Sequence, residues 1–229
     1  MYIFSMDNPF FRFVGRCVDL VWINILTLVC AIPVFTAGAA LTAMYRVLLN
    51  ITLKQESGIT KEFFRAFKEN FKSATRVFLP VLLAFLILFS NAYMIRQGVL
   101  DGWGDLYIVV CVSIGIIAGL LAIFLQYYTS LLARYDASVK QTIQNAIRLM
   151  FACFPQSLCM VIILISPIAL MLLSNYFMGF WFLYGISFPA YFIAMILGKI
   201  YTRVEGRDSE GTEPENAAEE ENELGSDES

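Results

Sequence analysis

Thr42, Arg46 and Asn50 recur at every fourth residue of an apolar stretch, which places all three on one face of a helix. An arginine inside a membrane-length apolar run costs about 2.5–3.5 kcal/mol on insertion scales, so it needs a partner or a route to water. If the segments 17–33 and 37–53 fold back on each other about Val34 and Phe35, Asn24 comes level with Arg46 and Asp19 level with Asn50. The five residues Asp19, Asn24, Thr42, Arg46 and Asn50 then form an intramembrane polar cluster with two readings. Either Arg46 pins the hairpin together, with Asp19 or Asn24 as its partner, or the cluster faces a water-filled cleft that binds an anionic or polyhydroxylated ligand.

Covalent chemistry has little to work with. The chain has no histidine, which removes the usual general base. Its five cysteines, Cys17, Cys30, Cys111, Cys153 and Cys159, lie in or beside apolar segments without a CxxC pair, which argues against a zinc or haem site. There is no P-loop, GxGxxG or HExxH motif. These absences predict a protein that is not an enzyme and needs no metal or cofactor, and in which any pumping would depend on a separate ATPase. Nucleic acid is not among the expected partners.

The elements that must position the cluster follow from composition. Of 229 residues, 59% are hydrophobic and only 15% charged, with a mean hydropathy of +0.68. The charges collect between the apolar runs, as the cost of an ion in hydrocarbon demands. The fold class is therefore all-α: a polytopic membrane helical bundle of about six transmembrane helices with two cytoplasmic interfacial amphipathic helices. The spans fall at about 17–33, 37–53, 77–95, 106–130, 154–174 and 177–198, each adequate for a hydrocarbon core of about 30 Å. A single membrane domain covers 1–203. Residues 204–229 form an acidic disordered cytoplasmic tail; from 205 onward it holds eleven acids and one arginine, leaving a net +7 on the remainder. That tail is either plain solvated chain or an acidic interaction segment.

Lysine and arginine gather in alternate connections: Arg12 and Arg16 before the first span, Lys54 to Arg76 between the second and third, Arg134, Lys140 and Arg148 between the fourth and fifth, Lys199 and Arg203 after the sixth. The positive-inside rule then predicts a multi-pass cell-membrane protein with both termini cytoplasmic. In KEFFRAFKENFKSATR, steps of 100° put Phe63, Phe64, Phe67 and Phe71 on one arc and Lys61, Arg65, Lys68 and Lys72 on the opposite one. This is the pattern of an interfacial helix with aromatics among acyl chains and cations near anionic lipids, started by Thr60 as N-cap. SVKQTIQNAIRLMF repeats it with Val139, Ile143, Ile147 and Met150. Asn70 with Pro80 and Asn145 with Pro155 are ten residues apart in each case, so 61–133 and 136–200 are either two parallel units or two lead-ins alike by chance. Gly115 and Gly119 form a GxxxG that permits close helix contact, as do Ala194 and Gly198. The break at Pro33 to Gly38 reads as the tip of a hairpin, with Thr36 capping the second helix.

NPFFRF at Asn8–Phe13, NILTLVCAIPVFTAGAALTAMYR at Asn24–Arg46 and EFFRAFKENF at Glu62–Phe71 occur in an order that resembles the YesL family of bacterial integral membrane proteins, classed largely as a domain of unknown function. The resemblance is strongest over 8–80. It implies a bacterial cell membrane, a helical fold of several spans and association with carbohydrate transport, and hence an accessory or regulatory role beside an ABC sugar importer's permease or ATPase subunits. It carries over no catalytic or binding residues. The alternative is a stand-alone small-solute transporter or channel working through a polar cleft around Arg46.

Overall fold

The first helix, α1 (Pro9–Ala31), opens with a proline where a missing N–H costs nothing, and ends two residues before Pro33, which cannot continue it. The computed structural model describes residues 9–53, 58–96, 105–135, 137–173 and 185–203. A single 3₁₀ turn (Val34–Thr36) leads directly into α2 (Ala37–Thr52), followed by α3 (Ile59–Arg96), α4 (Asp105–Arg134), α5 (Val139–Ala152) and α6 (Phe154–Leu173). A last helix, α7, covers 187–203. The described residues contain no strand, and the bundle is that of an integral membrane protein. Among the described residues four helical segments, α1, the 3₁₀ turn together with α2, α3 and α4, are long and apolar enough to cross a membrane, and the bent pair α5–α6 supplies a fifth at most. The expected span at 177–198 begins outside the described residues, and its remainder falls in α7. The connection 97–104 and the acidic tail also lie outside them.

The turn at Pro33 is the tip of a hairpin, as its sequence suggests, but Thr36 does not cap α2. Its backbone is already helical, and its hydroxyl donates backwards to the carbonyls of Cys30 (2.5 Å) and Pro33 (2.6 Å), closing the end of α1. Because the 3₁₀ turn feeds α2 without a break, the Thr36 and Ala37 N–H groups find carbonyl partners in the turn itself.

α3 corrects a second expectation. The amphipathic segment and the following span are one continuous helix of 38 residues, about 57 Å long. Thr60 lies inside it and Gly58 precedes it, so Thr60 is not the N-cap. Its aromatic arc is turned to protein, not to acyl chains: Phe63 is 0% exposed and Phe67 and Phe71 pack on the core, while Phe64 alone is 41% exposed. The occupant of that face is the α1–α2 hairpin. The Trp22 indole donates to Thr60 (2.9 Å), Thr75 donates to the Phe35 carbonyl (3.4 Å), and a Cβ on Gly38 would stand 2.5 Å from the Phe78 Cβ. Only glycine fits there. The hairpin tip thus comes level with residues 75–78. Beyond it α3 runs on for about 27 Å beside the first half of α4, both presenting Leu83, Leu86, Phe89, Ile108, Val112 and Ile116 outward.

The second amphipathic helix is separate, as expected. Ser138 starts α5 with a capping box closed by Gln141. α5 meets α6 at 97°, because Pro155 lacks the N–H that would extend α5 and instead sits in the first turn of α6. Its buried stripe is Thr142 and Ala146, with Val139, Ile143 and Met150 against the core, whereas Ile147 is exposed. Pro80, by contrast, is carried inside α3, so the two Asn–Pro lead-ins fold differently. Gly115 and Gly119 have no neighbouring atom for a Cβ to meet, so the GxxxG makes no close contact among the described residues. Gly198 does pack, against Thr52, and Ala194 is buried.

Candidate functional site

Three helices converge on Arg46. α2 presents its guanidinium 3.1 Å from the Glu62 carboxylate in the first turn of α3, and the same side chain donates to the Ala133 carbonyl at the end of α4 (2.5 Å). Glu62 also accepts from Arg65 on its own helix. The Glu62 side chain is only 7% exposed, against 30% for Arg46 and 55% for Arg65, so the carboxylate is the buried member and Arg46 its inner partner. The Ala133 carbonyl lies in the last turn of α4, where helical acceptors lack N–H partners and the dipole favours a cation. Arg46 therefore closes a salt bridge and a helix end at once.

This overturns the pairing expected from the hairpin alone. Neither Asp19 nor Asn24 bonds Arg46. Asn24 is fully buried and accepts from the Ser187 backbone N–H (3.3 Å), fastening α1 to the start of α7. Asp19 is half-buried and has neither an ion pair nor a hydrogen bond among the described residues. Thr42 is buried and donates to the Gly38 carbonyl of its own helix (2.9 Å), and Asn50 is half-buried farther along α2. The structure thus keeps Thr42, Arg46 and Asn50 on one helix, but it does not gather the five polar residues into one cleft. The physical reason is partner choice: the Arg46 side chain is bonded by Glu62 of α3 and the Ala133 carbonyl of α4, while Asn24 is engaged by α7.

Lys61, Arg65, Lys68 and Lys72 occupy the exposed face of α3, joined by Arg76. Near the same end, the Arg134 guanidinium lies over the rings of Tyr135 (5.7 Å) and Tyr201 (5.6 Å), and the Tyr201 hydroxyl bonds Ser130 (2.6 Å). Tyr128 donates to the Ser73 carbonyl (2.8 Å), and Tyr127 and Ser157 share a bond of 3.1 Å. Apart from the Arg134–Tyr135 contact, which stays at the end of α4, each of these ties links α4 to another helix, so the polar groups at this end hold the bundle together. Among the described residues no three His, Cys, Asp or Glu side chains are grouped to hold a metal, and all five cysteines are free.

Glu62 was the residue missed in the sequence. It stands in EFFRAFKENF as one of two acids, with Glu69, directly before a buried phenylalanine and four residues before Ala66, which is also buried. An acid on the inward face was the available signal.

Residues 20–92 match a domain of unknown function, DUF624. The DUF624 match takes in the second half of α1, all of α2 and most of α3, and hence both members of the Arg46–Glu62 pair, but neither Ala133 nor the rest of α4. It agrees with the likeness of the N-terminal third to the YesL family. No curated protein and no solved structure gives a significant match to the chain.

Proposed function

We propose that this integral membrane protein is an accessory component of a carbohydrate ABC uptake system, engaging a permease or ATPase subunit through the first half of α3 and catalysing no reaction itself. The observation that supports docking is the division of that helix. Phe63, Phe67 and Phe71 are turned inward, leaving Lys61, Lys68, Lys72 and Arg76 in an outward row. Such a row suits an acidic protein surface or anionic headgroups, at about 1 kcal/mol per cation near a charged membrane. The choice of a sugar importer rests on the resemblance to the YesL family. In this reading the basic end faces the cytoplasm of a bacterial cell, with both termini on that side.

The alternative, a solute path around Arg46, finds less support, since the guanidinium is committed to Glu62 and Ala133. Purification in mild detergent is expected to recover the importer subunits, and Lys68→Glu with Lys72→Glu to release them while thermal stability is unchanged. Isolation of the chain alone, together with normal sugar uptake in a deletion strain, overturns the proposal.

A further inference from the structure

A cavity of about 290 Å³ lies between α2, α3, α4, α6 and α7, where the α1–α2 hairpin stops short of the full length of α3. Its walls are largely apolar, among them Leu41, Phe85, Ala122, Leu164 and Ile193. Three lining side chains are polar, Tyr45, Thr129 and Gln126, and Thr129 already donates to the Leu125 carbonyl of its own helix. Gln126 on α4 is only 6% exposed and, among the described residues, has no hydrogen-bond partner for either its Oε1 or its Nε2. Ser187, which follows the lining residue Ile186, is fully buried with an unpartnered Oγ as well. A buried amide is almost always satisfied, because leaving its donors and acceptor bare forfeits their hydration without return. A largely apolar chamber with a few polar groups has the form of a ligand site, and its volume is at the lower edge of the usual range.

We infer that this cavity binds a single-chain lipid whose uncharged head carries both a donor and an acceptor, a protonated fatty acid or a fatty alcohol. The head is set by Gln126: a carboxyl O–H donates to Oε1 while Nε2–H donates to the carboxyl C=O, and a hydroxyl does both with one oxygen. An ionised carboxylate would leave Oε1 unpaired and bring a charge into an apolar chamber with no cation in its lining. The chain is set by the walls: Ala122 is one turn from Gln126 toward the start of α4, and Phe85 lies beyond Phe78 in the apolar half of α3, so the chamber extends from the amide toward the lipid-facing part of the bundle.

The test uses the full chain in phosphatidylcholine nanodiscs doped with diazirine-bearing palmitic acid, with adducts mapped by mass spectrometry. Adducts are expected on the cavity walls, at Ala122 to Thr129 and around Ile193. Unlabelled palmitic acid and hexadecanol should compete, and methyl palmitate, which lacks the donor, about tenfold less well. Gln126→Leu should make the three competitors equal while raising the melting temperature of the free protein. Ala122→Leu, which fills the chamber, should abolish the adduct without unfolding the protein. Adducts confined to the outward faces of α3 and α4, or insensitive to both variants, overturn the inference, as does a chamber that takes up no label.

Discussion

Replacing Arg46 by alanine removes one side chain from three helices. The variant loses a charge-assisted hydrogen bond to Glu62, which in comparable settings contributes about 1.5–3 kcal/mol, and takes the donor from the Ala133 carbonyl, a loss of about 1 kcal/mol. Two features reduce the sum: Arg46 is 30% exposed, so water screens the pair, and Glu62 keeps its bond to Arg65. The expected net loss is about 2–3 kcal/mol, or about 4–12 °C in melting temperature for a chain of this size. Arg65→Ala removes the outer partner instead. With its side chain 55% exposed and only three residues from Glu62, it should cost far less than Arg46→Ala.

Thermal unfolding of the two variants in one detergent, scanned at one rate, gives the comparison directly. Arg46→Lys should fall between Arg46→Ala and the parent chain, because an ammonium can approach Glu62 but cannot fork to Glu62 and Ala133 together. A double variant with Glu62→Ala should lose less than the two single losses added, since both act on one bond. If Arg46→Ala melts within about 1 °C of the parent chain, or Arg65→Ala costs as much, Arg46 is not the inner clasp.

The inward face of α3 makes its own prediction: Phe63→Ala should destabilise by about 3–5 kcal/mol and Phe64→Ala, 41% exposed, by far less, whereas a helix with all its aromatics in lipid would show two similar, small losses on thermal unfolding. Gly38→Ala forces a Cβ to 2.5 Å from Phe78 and should cost about 1–3 kcal/mol; pairing it with Phe78→Ala should give a chain more stable than the sum of the two losses predicts, and additivity would place the clash elsewhere. Trp22→Phe and Thr60→Val should each cost about 0.5–1 kcal/mol and together no more than either alone, as read from melting temperatures; additive losses would mean that the indole and the hydroxyl do not bond.

Much of the bundle was legible because membrane burial writes itself in long apolar runs and in the placement of lysine and arginine. The tip at Pro33, the separate helix at Val139–Ala152 and the single face holding Thr42, Arg46 and Asn50 all follow from proline chemistry and helical period. Partner choice did not follow, because period fixes which residues share a face and leaves open what that face meets. The phenylalanines of α3 form the same arc whether they lie in lipid or under α2, and Gly115 with Gly119 permits a close neighbour without supplying one. Arg46 was correctly marked as needing a partner, yet a two-helix hairpin offers only α1, while the bundle offers α3 and α4. The rule that marked Arg46 applies equally to Gln126, a lone amide at the end of the run YIVVCVSIGIIAGLLAIF. The fold then separates the two. Arg46 is held by Glu62 and Ala133, so its hydrogen bonds are already committed to stability, whereas Gln126, among the described residues, keeps a donor and an acceptor free beside a largely apolar chamber. A buried polar group that the protein leaves unsatisfied is the stronger marker of a ligand, because only something from outside the chain can complete it.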